Sequence, residues 1–155
     1  MGAPAPNNSP GGYEGFVGAN PADAGTERAL VRVATFNINN INKRLDNLLA
    51  WLAKAEPDVV SLQELKAEQD AFPVNALRTL GYEAVWQGER SWNGVAILAR
   101  NQVPVLTRTS LPGNSEDHQA RYIEAAVQGV LITFHLPPQW ESAAWTEIQV
   151  QVGLV

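Results

Sequence analysis

The stretch VRVATFNINNINKRLDNLLAWLAKAEPDVVSLQELK, residues 31–66, decides the fold, because a strand, a helix and a second strand follow one another within it. Residues 31–38 are rich in β-branched and apolar side chains and stop at a run of asparagines, which predicts a buried strand. Residues 43–55 repeat leucine with the period of an amphipathic helix; Asn42 is the predicted N-cap, and the Glu56-Pro57 pair ends the helix. Residues 58–63 predict a second buried strand.

A strand, a crossover helix and a strand of this length predict a right-handed, parallel βαβ unit. Ligands bind at the carboxyl ends of strands in open α/β sheets, so Asn37, Asn39 and Glu64 are expected on one rim. A carboxylate with amide oxygens, and with no Cys or His nearby, is a hard ligand set that suits Mg²⁺ or Mn²⁺. The alternative is that Glu64 caps the next helix and Asn37 closes a turn, because polar residues often end strands.

Six strings in order along residues 32–133 resemble the exodeoxyribonuclease III branch of the endonuclease/exonuclease/phosphatase superfamily, the bacterial abasic-site endonucleases: TFNINNINKRL, PDVVSLQELKAE, LGYEAVWQG, WNGVAILAR, LPG and QARYIEA. The resemblance implies a four-layer α/β sandwich and Mg²⁺-dependent cleavage of DNA phosphodiesters at abasic sites and 3′ ends. It also implies that Glu64 is the metal-binding carboxylate, that Asn37 lies beside it, and that Asn39 takes the next polar position on the rim.

The strings YEAVWQG and GVAILAR predict two strands, and the polar stretch ERSWNG between them contains a turn signal, Asn93-Gly94. In the family this hairpin approaches the DNA cleft, so the resemblance makes Arg90, Trp92 and Asn93 candidates for DNA contact. The alternative is that these loop residues are only solvated. His118 has a pKa range suited to acid-base chemistry, but the family's catalytic His belongs to a later segment, and His118 is interpreted as a surface residue.

Composition limits the function classes. The chain has 155 residues, 45% of them hydrophobic, and no cysteine, which excludes disulfides and cysteine-based metal or nucleophile chemistry. No run predicts a membrane span or a signal peptide, so we expect a soluble, cytoplasmic protein. The net charge of −5 argues against a nonspecific nucleic-acid coat, but it is compatible with a metal nuclease, whose site must be acidic.

The chain divides into three predicted parts. Residues 1–30, rich in Gly, Pro, Ala and Asn, predict a disordered leader. Residues 31–133 correspond to the N-terminal half of an exonuclease III-like domain. Residues 134–155 depart from the family, but a permitted set of codons read one base later gives SIYLPNGNPPPGPKFRYKLGW, which restores family-like segments. We therefore expect a frameshift just after Thr133, and a truncated chain that lacks the second half of the site and is inactive as it stands.

Truncation leads to a further expectation about packing. The inner face of the first sheet, with Val33, Val60, Ile97 and Ile132, is expected to lack its partner and to promote self-association. Two rival functions remain open at this point. One is a phosphatase or phosphodiesterase of the same superfamily that acts on lipid or nucleotide substrates, and the other is a noncatalytic binding module that kept only half of the site.

Overall fold

Residues 31–113 and 119–136 are described by the structure, a computed structural model. The predicted disordered leader, His118 and all but the first three residues of the predicted non-family tail lie outside these described residues. The domain boundaries proposed from the sequence therefore remain predictions.

The described residues form seven strands and two helices: β1 Val33–Asn37, α1 Leu45–Ala55, β2 Val59–Gln63, α2 Val74–Arg78, β3 Tyr82–Gln87, β4 Val95–Arg100, β5 Val105–Arg108, β6 Tyr122–Val127 and β7 Val130–His135. A 3₁₀ turn, Gln69–Ala71, precedes α2. The strand, helix and strand predicted over residues 31–66 are confirmed. None of the helices in the described ranges is long and apolar enough to cross a membrane.

The start of α1 differs from the prediction, whereas its end agrees. Asn42 does not cap the helix: the N-cap residue is Arg44, and the Asn42 amide donates to the carbonyl of Ala71 at 3.1 Å. An extra turn precedes α1, and there Asn40 accepts the Lys43 N–H on its side-chain oxygen at 3.0 Å. The Asn40 side chain therefore satisfies an exposed backbone donor of this extra turn, three residues further along the chain.

Two sheets organise the fold. The first has the strand order β1-β2-β4-β3, with β1 and β2 parallel and the other pairs antiparallel. The second is the antiparallel meander β5-β6-β7. The parallel pair is in register from Val33 opposite Val59 to Asn37 opposite Gln63. The βαβ unit predicted from the sequence is thus confirmed, and both of its strands end at the same rim.

The first sheet is covered on both faces. On one face, Leu48 and Leu52 of α1 pack in a buried cluster with Leu62 and Leu98 of the sheet. On the other face, Ile97 packs in a second buried cluster, which includes residues from β6 and β7. Each fully buried Leu or Ile side chain contributes about 1.5–3 kcal/mol to stability. The described residues therefore form three layers of an α/β sandwich: helices, first sheet and second sheet.

The prediction of an uncovered inner face was wrong. Ile97 and Ile132 are buried in the same cluster, because the β5-β6-β7 sheet covers this side. Val60 belongs to the opposite face, where it is buried against α1. Only Val33, 39% exposed on the edge strand β1, fits the expectation. The sequence misled because all five residues of β2 are buried, the polar Ser61 and Gln63 included, so the strand has no exposed face that would tell its two sides apart.

Candidate metal site and basic cleft

The rim at the ends of β1 and β2 brings Asn37 and Glu64 into direct contact. The parallel pairing continues beyond the strands, where the Asn40 N–H donates to the carbonyl of Glu64 at 2.9 Å. Asn37 Nδ2 donates to Glu64 Oε1 at 2.8 Å, and Asn37 Oδ1 accepts the Asn39 N–H at 3.1 Å. The Asn37 amide is therefore fixed at both ends and orients one oxygen of the Glu64 carboxylate. The predicted placement of these two residues on one rim is confirmed.

The other oxygen of Glu64 faces a cation. Lys66 Nζ lies 3.0 Å from Glu64 Oε2 and donates to Asn39 Oδ1 at 2.6 Å. Partial burial raises the pKa of the Glu64 carboxyl, but the hydrogen bonds from Asn37 and Lys66, together with the lysine charge, outweigh it and hold this pKa below its usual value. Glu64 is therefore an anion at neutral pH, and its second oxygen shares one cation with Asn39.

The backbone of this rim is unusual. Asn39, Asn40, Glu64 and Lys66 have positive φ angles of 45°, 84°, 52° and 48°. Asparagine enters the left-handed region readily, whereas Glu and Lys rarely do so. The conformation costs of order 1 kcal/mol at such residues, and outliers of this kind concentrate at functional sites. The left-handed turns at Glu64 and Lys66 fix the direction in which their side chains leave the rim.

The β3–β4 hairpin holds the Glu64 loop from the other side. The Leu65 N–H donates to the carbonyl of Gly94 at 3.1 Å, and the Lys66 N–H donates to the carbonyl of Asn93 at 2.9 Å. This approach requires glycine at position 94, where φ is +100° and a Cβ would lie 2.8 Å from Leu65 Cβ. The loop that carries Glu64 and Lys66 is therefore clamped between β1 and the hairpin.

A cleft of about 760 Å³ opens beside this rim. It is lined by Asn39, Asn40, Lys43, Arg44, Asn47, Lys66, Arg90 and Ser91. Four of these side chains are cationic and the rest are neutral and polar, so the cleft suits an anion. The sequence assigns site roles only to Asn39 and Arg90 among them. Lys43 and Arg44 lie in the loop between β1 and α1, and Lys66 lies in the loop after β2; their place in loops at the carboxyl ends of strands is the signal that could have identified them.

The three predicted DNA-contact residues differ in what they can touch. Arg90 lines the cleft, with its side chain 84% exposed and an ion pair to Glu68 of 3.7 Å. Trp92 is 64% exposed, and its ring centroid lies 6.0 Å from Lys66 Nζ. The Asn93 amide instead donates to Glu89 Oε1 at 3.0 Å inside the loop. Arg90 and Trp92 are thus available to a ligand, whereas Asn93 maintains the shape of the hairpin.

The donor set at the rim fits a hard cation. Glu64 Oε2 and Asn39 Oδ1 already converge on one positive charge, and carboxylate and amide oxygens are ligands that Mg²⁺ and Mn²⁺ prefer. Within residues 31–113 and 119–136, no group of three or more His, Cys, Asp or Glu side chains comes together as a metal site. Among the described residues, the groups at this rim that could bind a metal are therefore the Glu64 carboxylate and the neighbouring amide oxygen of Asn39.

The model of the endonuclease/exonuclease/phosphatase family matches residues 34–154, which include both strands of the rim and the hairpin. The chain belongs to the endonuclease/exonuclease/phosphatase family. The predicted family and the predicted type of fold are thereby confirmed. The family's name joins endonucleases, exonucleases and phosphatases, which all act on phosphate esters, and a carboxylate beside a basic cleft is compatible with such substrates.

Three relatives of this family member illustrate the likeness. Exodeoxyribonuclease III from Haemophilus influenzae is 36% identical over 118 residues, covering 74% of this chain and 44% of that protein. A structure of the 3′ phosphatase NExo from Neisseria, bound to a product DNA hairpin, is 40% identical with a TM-score of 0.65, covering 68% of this chain and 41% of that one. The structure of an AP endonuclease from Archaeoglobus fulgidus is 31% identical with a TM-score of 0.65, and the match covers 71% of this chain and 42% of that one. The chain spans less than half the length of each.

Proposed function

We propose that this chain carries one half of the site of a Mg²⁺-dependent DNA repair nuclease of the exodeoxyribonuclease III type, which acts on abasic sites and 3′ ends. The observation that carries the proposal is the position of the Glu64 carboxylate beside a cleft lined by four cationic side chains. A lone carboxylate attracts a metal ion, and the cations attract phosphates. A phosphodiester substrate needs both within reach of one another.

The metal would be held by Glu64 Oε2 and Asn39 Oδ1, the two oxygens that share the Lys66 ammonium. When bound, Mg²⁺ polarises a phosphoryl oxygen of the scissile phosphate. Asn37 acts as a positioning residue, because its amide fixes the other carboxylate oxygen of Glu64. That Asn37 itself supplies a ligand oxygen stays a prediction, since in this structure its oxygen accepts the Asn39 N–H.

The DNA backbone would be held by the basic cleft. Lys43 and Arg44 lie at the end of the turn before α1, and Arg90 reaches into the cleft from the hairpin. Each cation that neutralises a phosphate releases counterions, so binding by these residues should weaken with salt. The exposed ring of Trp92 offers a surface on which a base can stack.

Two other functions remain candidates on specific observations. The single carboxylate at the rim, with no further cluster of metal-binding side chains among the described residues, favours a module that binds metal and DNA without turnover. The likeness to a 3′ phosphatase favours a phosphomonoester substrate. The predicted inactivity of the chain as it stands is compatible with the first of these.

A fluorescent duplex with an abasic-site analogue tests the proposal, with anisotropy for binding and gel electrophoresis for cleavage, in Mg²⁺ and in EDTA. The wild-type chain is expected to bind the duplex more tightly in Mg²⁺ than in EDTA. Glu64→Gln is expected to bind it equally in both. Asp58→Asn, which removes the carboxylate before β2, is the matched control and should retain the response. Lys43→Gln should reduce the slope of log affinity against log salt by about 1.

The outcomes separate the candidates. Glu64-dependent cleavage establishes a nuclease, whereas Glu64-dependent binding without cleavage establishes a noncatalytic module. Release of phosphate from a 3′-phosphorylated duplex, with the abasic duplex left intact, establishes the phosphatase. A Mg²⁺ response that survives in Glu64→Gln would contradict all three.

A further inference from the structure

The rim holds a cation of its own, and this suggests how metal binding is regulated. The ammonium of Lys66 lies between the two oxygens assigned to the metal, 3.0 Å from Glu64 Oε2 and 2.6 Å from Asn39 Oδ1. We propose that Lys66 is a built-in competitor of the divalent cation, which leaves these oxygens when the metal binds and then faces phosphate in the cleft. The inference rests on the proposed metal site.

The two cations cannot share the oxygens. A divalent ion bonds oxygen at about 2.1–2.2 Å, so an ion bound to both ligands would occupy the space that the ammonium fills. Like charges at that separation also repel one another, and water screens them only in part because both side chains are partly buried. Lys66 is only 21% exposed and Glu64 only 22%. Metal binding therefore requires the lysine side chain to move.

The structure offers Lys66 a second position. Its backbone is fixed, because the N–H donates to Asn93 O and the residue sits in a left-handed turn. Its side chain is a flexible four-carbon stem that lines the basic cleft. The exposed Trp92 ring lies 6.0 Å from Nζ and can receive the ammonium face-on. Rotation of the side chain alone thus carries the charge from the metal ligands towards an anion in the cleft.

This competition couples the two ligands. A phosphate in the cleft attracts the ammonium and frees Glu64 and Asn39, so an anion is expected to strengthen metal binding, and a metal to strengthen anion binding by the same factor. The lysine makes the site weak for a metal alone. Because of this lysine, the metal is expected to bind tightly only when a phosphate ester also occupies the cleft.

Calorimetry with Mn²⁺ alone, at constant ionic strength and with the full chain, tests the competition. Lys66→Met keeps an unbranched side chain one atom shorter and removes its charge, and it should tighten Mn²⁺ binding on the order of tenfold. Lys43→Met removes an equal charge from the same cleft without touching Glu64 or Asn39, and should change the affinity by less than about twofold. Equal effects of the two substitutions, or weaker binding by Lys66→Met, would overturn the proposal.

A second measurement follows the lysine directly. Lys43, Lys54 and Lys66 are the only lysines of the chain, so a ¹³C-lysine sample gives three side-chain Cε signals. Titration with Mg²⁺ should shift the Lys66 signal with the same half-saturation as the calorimetry, and leave Lys54 unchanged. A Lys66 signal that stays still while Glu64-dependent binding saturates would overturn the proposal.

Glu64→Gln in the Lys66→Met background separates this inference from the metal site itself. If it abolishes Mn²⁺ binding while Lys66→Met alone has no effect, the metal site stands and the role of Lys66 is wrong. If neither wild type nor Lys66→Met shows Glu64-dependent binding, the proposed metal site is wrong, and the competition with it.

Discussion

Strand β2 has a carboxylate at each end, and the two are held in different ways. Asp58, just before the strand, accepts the backbone N–H of Arg32 on Oδ2 at 2.8 Å, and its Oδ1 accepts from the Arg100 guanidinium at 3.2 Å. The carboxylate of Glu64, just after the strand, instead pairs with the side chains of Asn37 and Lys66. The Asp58 carboxylate holds Arg32 and Arg100 in place, whereas the Glu64 carboxylate exchanges its lysine partner for a metal ion in the proposed mechanism.

The surroundings of the two carboxylates strengthen this contrast. The Asp58 N–H and carbonyl both pair with neighbouring strands, through Arg32 O and the Arg100 N–H, so this end of β2 is part of the sheet. The Glu64 end adjoins the basic cleft, where Asn39 and Lys66 lie in its lining. A lowered carboxyl pKa therefore does not by itself mark a functional site, because both groups show one. What distinguishes Glu64 is a lysine ammonium as its partner, beside a cleft lined by cationic side chains.

The largest effect we expect is on metal affinity. Glu64→Gln removes the charged ligand, and loss of an outer-shell partner alone typically weakens metal binding 10–100-fold, so we expect Mn²⁺ affinity to fall by more than about 100-fold. Asp58→Asn should change it by less than about twofold. Calorimetry measures the Mn²⁺ affinity of both variants. Similar losses of affinity in Glu64→Gln and Asp58→Asn would contradict the difference that we assign to the two carboxylates.

Removal of the Asn37 amide should have the next largest effect. Asn37→Ala leaves the Glu64 carboxylate in place but frees Oε1 from its donor, and Mn²⁺ affinity should fall about 10–100-fold. Thr35→Ala, on the same face of the same edge strand and two residues away, is the control. An unchanged affinity in Asn37→Ala would show that the amide does not position the ligand.

Gly94→Ala tests the clamp on the Glu64 loop. The new Cβ would meet Leu65 Cβ at 2.8 Å and sit at a φ of +100°, so overpacking and backbone strain together should lower the free energy of unfolding by about 3 kcal/mol. Gly113→Ala carries the strain alone, with φ at +83° and nothing near its Cβ, and should cost about 1 kcal/mol. Urea denaturation measures both, and equal losses would exclude a packing role for Gly94.

Asp58→Asn is expected to lower the stability of the fold and to leave metal binding almost unchanged. It weakens hydrogen bonds to Arg32 and Arg100, but the Asp58 side chain is 28% exposed and water screens part of the interaction. We expect a loss of about 1 kcal/mol at pH 7 by urea denaturation. Glu64→Gln should cost less, because Lys66 is left in a site that water reaches. If Glu64→Gln lowers the free energy of unfolding more than Asp58→Asn does, then Glu64 and not Asp58 is the carboxylate that stabilises the fold.

The smallest expected effect is on the pH dependence of stability. The backbone hydrogen bond from Arg32, with help from Arg100, lowers the pKa of Asp58 in the folded state. The stability from this group is then fully present above the ordinary Asp pKa of about 3.9 and is lost as the pH falls through the lower folded value. Denaturation curves for wild type and Asp58→Asn should therefore converge below about pH 4. A constant difference down to pH 2 would contradict this linkage.

The sequence predicts that Asn37 and Glu64 lie on one rim, but it does not predict that Lys66 pairs with Glu64 there. The asparagines from residue 37 onward mark the end of β1, Pro57 separates α1 from the start of β2, and the carboxyl ends of parallel strands bring Asn37 and Glu64 to one rim. Lys66 could not be placed in the same way. Its approach to Glu64, two residues earlier, depends on left-handed backbone at both positions, which no local pattern in the sequence signals.

The second sheet was missed for a different reason. Ile132 was assigned to the inner face of the first sheet, but it belongs to the strand that covers that face. Pairing between distant strands leaves no trace in local periodicity. Of the predicted apolar surface only Val33 is exposed, and self-association of the chain stays a prediction.

The most direct test of the central claim is the anomalous scattering of Mn²⁺ in crystals of this chain. We expect a peak at about 2.2 Å from Glu64 Oε2, with Asn39 as a second ligand and the Lys66 side chain turned into the cleft. A Mn²⁺ peak at Asp58, or a Glu64 carboxylate still paired with Lys66 in a crystal that binds the metal elsewhere, would contradict it.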